Sequence, residues 1–301
     1  MSKPLVNVSQ KNTEEMNHMT TIRHQKQLAI PQADPHFFVP HTVTANLDRM
    51  EKLSHKHPIN ILVTGKQGCG KSSLVRQVAA RYERPLAAFQ IGLLSEPGQL
   101  FGEQRLKAGE TFYQQFLFPQ AISTPNCVIH LEEINRPEHP KALNELFSVL
   151  SEDRCIWVDE LGLVRVAEGV IFVATLNEGP EFTGIDQMDA ALRDRFYSFQ
   201  MDYLPKFVEE KVLVLKTGVS QQEAENIMKI VYALRTNSQQ PVSVSTRHSL
   251  MIAELMATGA NLKEAVVYSL EVSKDLLESC LLAVHLEVGE TDYVEEAYEL
   301  F

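Results

Sequence analysis

The sequence lacks the features of a membrane-spanning or secreted protein. It contains no run of about 18 apolar residues, so we expect no transmembrane helix. The N-terminal stretch MSKPLVNVSQKNTEEMNHMTT has no apolar core, so it does not read as a secretory signal. The four cysteines (Cys69, Cys127, Cys155 and Cys280) show no CxxC spacing, which favours reduced thiols over a disulfide or zinc framework. We therefore expect a cytoplasmic protein.

An excess of basic charge is also missing. The 301 residues include 28 Lys and Arg against 39 Asp and Glu, for a formal net charge of −11 at pH 7. Binding to nucleic acid irrespective of sequence needs a basic face, so this balance argues against that class of function. A local basic pore stays compatible with it, because net charge does not describe how charge is distributed.

Both ends of the chain differ from its middle. Residues 1–45 are polar and have no sustained period, which predicts an N-terminal arm. Six of the ten histidines lie in the first 57 residues, but their spacing matches no metal-site template. Residues 289–301 are acidic and contain no Lys or Arg, which predicts an exposed tail.

The middle of the chain predicts two domains. Apolar runs at 59–64, 86–91, 128–131, 170–174 and 196–201 indicate buried strands. Helical segments alternate with them, so residues 46–205 should form a parallel α/β sheet with helices on both faces. After Pro205, helical spacing recurs at 206–217, 221–236, 247–257, 262–270 and 274–286. Residues 206–288 should therefore form a smaller all-α domain.

A phosphate-binding pattern follows the first predicted strand. Residues 65–72, GKQGCGKS, fit GxxxxGK[ST] and open a predicted helix, as the motif requires. Glycines let such a loop turn its backbone N–H groups towards phosphate oxygens, and the helix N-terminus adds positive charge. Lys71 would neutralise the β- and γ-phosphates of ATP, and Ser72 would bind Mg²⁺. The predicted nucleotide-binding residues here are Gly65, Lys66, Gln67, Gly68, Cys69, Gly70, Lys71, Ser72 and Ser73. The alternative is a glycine-rich turn without a ligand.

Two carboxylates end the third predicted strand. Open α/β sheets bind ligands at the carboxyl ends of their strands, so Glu132 and Glu133 should face Lys71. We expect Glu132 to hold Mg²⁺ through water and Glu133 to orient the attacking water. The first acid is usually Asp, and the longer Glu132 could shift the octahedral metal shell and slow hydrolysis. The alternative is a pair of solvated acids on a loop.

Polar residues at later strand and helix ends complete the predicted site. Asn177 ends the fourth strand, where it can hydrogen-bond the attacking water, although a turn-forming Asn is the alternative. Arg193 and Arg195 precede the fifth strand, and an arginine from a neighbouring subunit can stabilise the transferred phosphoryl group. Residues at i and i+2 of a helix face different ways, so one can cross an interface while the other pairs within its chain. We favour Arg195 for the first role. Arg247 lies in the first turn of a predicted helix, where the helix dipole disfavours a basic side chain. A residue placed against local preference is a candidate for function, and Arg247 could reach the phosphates.

These segments resemble the AAA+ superfamily, and within it the MoxR-type ATPases of the CbbQ/NirQ/GvpN-like group. The resemblance covers residues 59–270 and rests on GKQGCGKSS, HLEEINRPEHPKALNELFSVLSE, DELGLVRVAEGVIFVATLNEGPEF, MDAALRDRF and VSVSTRHSL. It implies a P-loop NTPase core with a five-stranded sheet of order 5-1-4-3-2, followed by a helical lid. It also implies that Asn177 is sensor 1, that Arg247 is sensor 2, and that Arg193 and Arg195 are arginine-finger candidates.

The resemblance further implies an insert and a hairpin. Residues 98–118 occupy the place of an insert in the second helix of the family. Their apolar residues could grip a client protein or belong to the core of the sheet, and the sequence leaves both open. They are Leu100, Phe101, Phe112, Tyr113, Phe116, Leu117 and Phe118. Residues 155–158 and 163–166 fit a β-hairpin that precedes sensor 1.

The predicted function is that of an ATP-hydrolysing oligomer that remodels or activates a partner protein. A hexameric ring, and a client with a von Willebrand A-type domain, are implied by the resemblance alone. A nucleotide-gated scaffold or clamp-loader-like protein with little hydrolysis is one alternative, slightly favoured by Glu132. A nucleic-acid-stimulated translocase is the other, and the net acidity opposes it.

Overall fold

The computed structural model describes residues 28–107, 109–178, 188–236, 243–270 and 298–301. Its strands are β1 (Phe38–Pro40), β2 (Ile59–Gly65), β3 (Leu86–Gln90), β4 (Gly102–Lys107), β5 (Glu110–Gln115), β6 (Val128–Glu132), β7 (Cys155–Val158), β8 (Gly162–Arg165), β9 (Ile171–Asn177), β10 (Tyr197–Met201) and β11 (Tyr298–Leu300). Its α-helices are α1 (His41–Ser54), α2 (Lys71–Arg81), α3 (Leu117–Ile122), α4 (Asn144–Val149), α5 (Ala190–Arg193), α6 (Lys206–Thr217), α7 (Gln221–Thr236), α8 (Thr246–Ala257) and α9 (Leu262–Ser269). The predicted helix at 274–286 lies outside the described residues.

Five parallel strands form the central sheet, in the order β10-β2-β9-β6-β3. Numbered among themselves along the chain, these strands have the order 5-1-4-3-2. All seven residues of β2 are buried, because a parallel sheet is covered by other elements on both faces. The predicted α/β class and strand order are therefore confirmed.

Alternation along the strands divides the core of the sheet into two layers. Ile61 and Val63 of β2 pack with Leu74 and Val78 of α2 on one face. Leu62 faces the opposite layer. That second layer includes Ile129, Leu131, Phe172 and Phe118. Helix α2 is therefore held on the sheet directly after the loop that leads out of β2.

Two antiparallel hairpins project from the sheet, formed by β4 with β5 and by β7 with β8. Some apolar residues of the predicted insert belong to the core of the sheet, and others are exposed. Phe101 and Phe118 are buried in the core, whereas Phe112 is 41% exposed on β5. The side-chain amide of Gln104 donates a hydrogen bond of 2.8 Å to Glu160, between the two hairpins. The predicted hairpin before β9 corresponds to β7 and β8.

Helices α6 to α9 pack around an apolar cluster of their own after Pro205. Its fully buried members include Ile227, Val231 and Ile252. Beside this cluster, the carboxylate of Glu209 is completely buried and accepts two hydrogen bonds from Arg235, at 2.9 and 3.0 Å. The Ser249 hydroxyl donates a third, at 2.5 Å. A buried charge therefore ties α6, α7 and α8 together. None of the described helices is long and apolar enough to cross a membrane.

Where they are described, the two ends of the chain contain packed segments that the sequence pattern did not indicate. Most of the predicted arm and tail, residues 1–27 and 289–297, lies outside the described residues. Strand β11 is antiparallel to β1, so residues 298–300 are paired where an exposed tail was predicted. Within the predicted polar arm, Val39 is fully buried, and Phe37 and Phe301 pack on the α2 face of the sheet. The apolar run FFVP was the signal for this packing, and the polar residues around it hid it.

We predict that Arg235→Met destabilises the helical region. The substitution leaves the Glu209 carboxylate buried without its partner, which costs about 3–5 kcal/mol. Urea denaturation of that variant should show this loss in the free energy of unfolding. Arg105→Met, which breaks an exposed pair with Glu103, is the matched control and should change it by less than about 0.5 kcal/mol. Equal stability of the two variants would contradict the role assigned to the buried pair.

Candidate functional site: a phosphate-binding loop facing two strand ends

The loop between β2 and α2 requires glycine at two positions where its backbone lies close to other elements. Gly65 has φ of +149°, and a Cβ there would lie 2.1 Å from the carbonyl oxygen of Met201. Gly68 has φ of +72°, and a Cβ there would lie 2.5 Å from the Cβ of Ser245 in the helical region. Any larger residue would push the loop off β10 or off the N-terminus of α8.

The ammonium group of Lys71 lies inside this loop. Its Nζ donates hydrogen bonds to the carbonyl oxygens of Gly65, at 2.9 Å, and Lys66, at 2.7 Å. The residue is only 7% exposed, and burial lowers the pKa of its ammonium group. Nearby Glu133 and Glu178 act in the opposite direction. A positive charge that is largely removed from water, and bonded to neutral carbonyls, is suited to receive an anion.

Cys69 also lies within the loop and is buried. Burial raises the pKa of its thiol, while the charge of Lys71 lowers it. The net effect disfavours the thiolate form, so the structure gives Cys69 the character of an inert loop residue.

The ends of β6 and β9 bring Glu133 and Asn177 together. These strands are neighbours in the sheet, and the side-chain amide of Asn177 donates to Glu133 Oε1 at 3.1 Å. Oε2 of the same carboxylate lies 3.5 Å from Arg136. Glu133 has φ of +52°, a conformation that costs free energy for a residue other than glycine. Strained backbone of this kind clusters at functional sites, and here it aims the carboxylate towards the loop.

Glu132 lies beside a buried histidine. One of its carboxylate oxygens is 3.4 Å from His130 Nδ1, and the other imidazole nitrogen is 3.2 Å from the Thr175 hydroxyl. Burial, with a smaller contribution from Arg76, lowers the pKa of His130 to about 3. The imidazole is therefore neutral at physiological pH, and it contacts Glu132 as a hydrogen-bonding group rather than as a cation.

A cavity of about 320 Å³ connects the loop, the strand ends and the helical region. This volume falls in the ordinary range for a small-molecule site. The predicted residues that line it are Gln67, Gly68, Cys69, Gly70, Lys71, Ser72, Ser73, Glu133, Asn177 and Arg247. The structure therefore gathers most of the predicted site around one space.

Five predicted residues do not line this cavity: Gly65, Lys66, Glu132, Arg193 and Arg195. Arg193 pairs with Glu178 at 3.3 Å. The Arg195 guanidinium stacks on the ring of Phe147, 5.1 Å from its centroid, and donates to the Ala191 carbonyl. Its Nε is buried without a partner among the described residues. Neither arginine is therefore placed to act on the cavity of its own chain.

The lining of the cavity has the chemistry that a nucleotide requires. The loop and Lys71 supply donors for phosphates, and the remaining lining includes apolar side chains that suit a base. Among the described residues no group of three or more His, Cys, Asp or Glu forms a metal site by itself.

Several lining residues were not predicted from the sequence. They are His36, Phe37, Phe38, Thr175, Leu176, Leu204, Val212, Lys216, Thr246 and Leu250. Thr175 and Leu176 adjoin Asn177 on a predicted strand, so their position could have been read. The three residues at 36–38 belong to the predicted polar arm, and their aromatic content was the only signal.

Comparison with protein families agrees with this geometry. The profile of the AAA domain (dynein-related subfamily) matches residues 60–196, and that of the CbbQ/NirQ/NorQ C-terminal region matches residues 209–274. The first match covers β3, β6, β9 and all but the first residue of β2, and it ends just before β10; the second match lies in the helical region. The two matches include the phosphate-binding loop, the ends of β6 and β9, and Arg247.

Individual proteins are similar in sequence to this chain over two thirds or more of its length. The chain is 59% identical to "Putative chaperone BssE" of Thauera aromatica, over 90% of this chain and 95% of that one. It is 26% identical to NorQ of Paracoccus denitrificans, over 68% of this chain and 76% of that one. It is 25% identical to the gas vesicle ATPase GvpN of Haloferax mediterranei, over 87% and 79% of the two chains.

A solved structure shares the fold. A RuvB variant of Thermotoga maritima superposes with a TM-score of 0.51 at 16% identity, covering 81% of this chain and 73% of that one. At this identity the likeness concerns the fold alone. The phosphate-binding loop, the strand order, the two matching profiles and the extensive identity to BssE lead to one conclusion: this chain belongs to the MoxR-type AAA+ ATPases, in the CbbQ/NirQ/GvpN-like group.

Proposed function

We propose that this protein is an ATP-hydrolysing AAA+ ATPase that acts as an oligomeric ring and remodels or activates a partner protein in the cytoplasm. The observation that carries the ATPase proposal is the shared cavity of Lys71, Glu133 and Asn177. The naming of BssE as a putative chaperone supports a protein client. A ring of six, and a client with a von Willebrand A-type domain, follow from family membership and belong to the proposal.

Binding begins with the phosphates. The residues of the loop and of the first turn of α2 line the cavity together with Lys71, so their backbone N–H groups can donate to phosphate oxygens. The oxygens of an incoming triphosphate would replace the carbonyl oxygens of Gly65 and Lys66 as hydrogen-bond acceptors of the Lys71 ammonium. From the helical region, Arg247 lines the same cavity and can reach the γ-phosphate.

Hydrolysis requires a water placed opposite the leaving group. Glu133 is a carboxylate on the cavity wall, and the amide of Asn177, 3.1 Å away, fixes its orientation. The pair can hold a water between them and the γ-phosphate, with Glu133 accepting its proton. Ser72 and Glu132 would hold Mg²⁺, which supplies charge neutralisation at the β- and γ-phosphates when bound.

The arginine of the reaction would come from a neighbouring subunit. Arg193 already has an ion pair within its own chain, to Glu178. Within the described chain the Arg195 guanidinium donates to a backbone carbonyl and rests on an aromatic ring, so no carboxylate neutralises its charge. We therefore assign the arginine finger to Arg195. Because Arg195 does not line its own cavity, the assignment requires an oligomer.

A nucleotide-gated scaffold is the second candidate. Glu132 replaces the usual Asp, and it lies against His130 rather than on the cavity wall. If it cannot reach the metal, the protein would bind ATP and change conformation with little turnover. This alternative keeps the binding site and removes only the chemical step.

Lys71→Ala should abolish ATP binding, because the loop loses its only side-chain cation aimed at the phosphates. Titration with labelled ATP should show at least about a hundredfold loss of affinity, the scale of a charge-assisted contact to phosphate. Lys52→Ala, on the exposed side of α1, is the control and should bind as the unmodified protein does. Unchanged binding by Lys71→Ala would refute the phosphate site.

Glu133→Gln should bind ATP normally and lower steady-state hydrolysis by about 10²-fold or more, since the amide cannot accept a proton from water. A coupled phosphate-release assay measures this change. A client held by the trapped ATP state can then be recovered with the variant and identified. A background rate in the unmodified protein, unaltered by the substitution, would favour the scaffold over the motor.

Arg195→Ala should leave ATP binding intact and lower turnover by about 10³-fold, the usual effect of removing an arginine finger. Arg193→Ala is the matched control, since it removes the neighbouring guanidinium. Mixing Arg195→Ala with Glu133→Gln subunits should restore part of the turnover, because some interfaces then hold one intact copy of each residue. Full activity in a monomeric fraction would contradict a shared site.

A further inference from the structure

We propose that Phe301 and strand β11 position the wall of the cavity against which the base of the nucleotide lies. The proposal rests on the proposed function, because it assigns the apolar end of the same cavity to the base. It makes Phe301 a positioning residue: it contacts the wall rather than the ligand. The region concerned is the segment predicted from the sequence to be an exposed acidic tail.

The lining of the cavity combines polar and apolar groups. The loop residues and Lys71 supply donors for phosphates. The apolar lining residues, which we call the apolar end, come from elements outside that loop and are Phe37, Phe38, Leu204, Val212 and Leu250. A planar purine is the part of ATP that gains most from such an apolar surface. The ring of Phe37 lies 3.5 Å from the position of a Cβ on Gly70, so this end directly adjoins the phosphate loop.

Strand β11 fixes the backbone of that wall. Phe38 is paired with Leu300, and Val39 with Glu299, in an antiparallel ladder. The backbone N–H of Phe301 donates to the carbonyl oxygen of Phe37 at 3.0 Å. In the described chain β11 is the one strand that pairs with β1. A two-stranded ladder is marginal by itself, so side-chain contacts must hold it in place.

Phe301, which does not line the cavity, supplies such contacts. Its ring meets the ring of Phe37 edge to face, with centroids 6.5 Å apart and an angle of 74°. The guanidinium of Arg81 lies over the ring of Phe301, 4.9 Å from its centroid. Arg81 ends the helix that begins at Lys71. Phe301 therefore joins the base wall to the helix of the phosphate loop.

The wall segment is anchored at its other end by different residues. Lys216 of α6 forms an ion pair with Asp34, and the side-chain amide of Gln77 donates to the Asp34 carbonyl at 3.2 Å. The segment that carries Phe37 is thus held between Asp34 and β11. We expect removal of the Phe301 ring to free one end of the segment, while the contacts within the loop at Gly65, Gly68 and Lys71, which do not involve Phe301, stay in place.

The expected consequence is a selective loss of affinity. Phe301→Ala should weaken ATP binding about three- to tenfold, the effect of one aromatic pair. Its affinity for inorganic tripolyphosphate, measured by competition against a labelled ATP analogue, should stay within about twofold of the unmodified protein once corrected for analogue affinity. Phe301→Tyr, which keeps the ring, should restore ATP affinity. Leu300→Ala, whose side chain is 57% exposed on the same strand, should bind both ligands normally.

The thermal melting temperature of each variant separates positioning from general destabilisation. Equal losses of ATP and tripolyphosphate affinity in Phe301→Ala, or no loss of either, would overturn the proposal. If Phe301→Ala fails to fold, Phe301→Leu replaces it, with the same selective loss expected and the same contrary results. Failure of the proposed function would appear instead as normal ATP binding by Lys71→Ala, so the two failures are distinguishable.

Discussion

The structure depends on one buried ammonium group at the start of a helix. Lys71 is held by two carbonyl oxygens of its own loop, in a place where burial disfavours its charge. Such a group gains free energy when an anion arrives, because a charge-assisted contact replaces bonds to neutral oxygens. Two glycines before it, Gly65 and Gly68, allow β10 and α8 to lie close to this loop. The proposed phosphate site and the contact between the sheet and the helical region therefore depend on the same loop.

The sheet topology explains why the candidate site residues lie together near this loop. Strands β2, β9 and β6 are adjacent and parallel, so their carboxyl ends meet at one edge. That geometry brings Asn177 within hydrogen-bond distance of Glu133 although 44 positions separate them in sequence. The left-handed backbone at Glu133 shows that the end of β6 is held in a costly conformation, which the surrounding packing stabilises.

The sequence predicted those parts of the fold that follow from local patterns. The strands, the loop and the residues at strand ends could be read, because apolar runs and the phosphate motif are contiguous. The packing of Phe37 could not, since its aromatic partner Phe301 lies far away along the chain, and the acidic residues near Phe301 predicted a solvent-exposed tail. The orientation of Glu132 towards His130 was equally hidden, because it depends on side-chain geometry within one strand end.

The central claim is that a triphosphate occupies the space between Lys71 and Glu133. A crystal structure with a non-hydrolysable ATP analogue and Mg²⁺ tests it most directly. We predict phosphate oxygens within hydrogen-bond distance of the Lys71 ammonium, with its bonds to the Gly65 and Lys66 carbonyls broken and the base lying on Phe37. An analogue bound elsewhere at saturation, with Lys71 still bonded to both carbonyls, would refute the proposed triphosphate site.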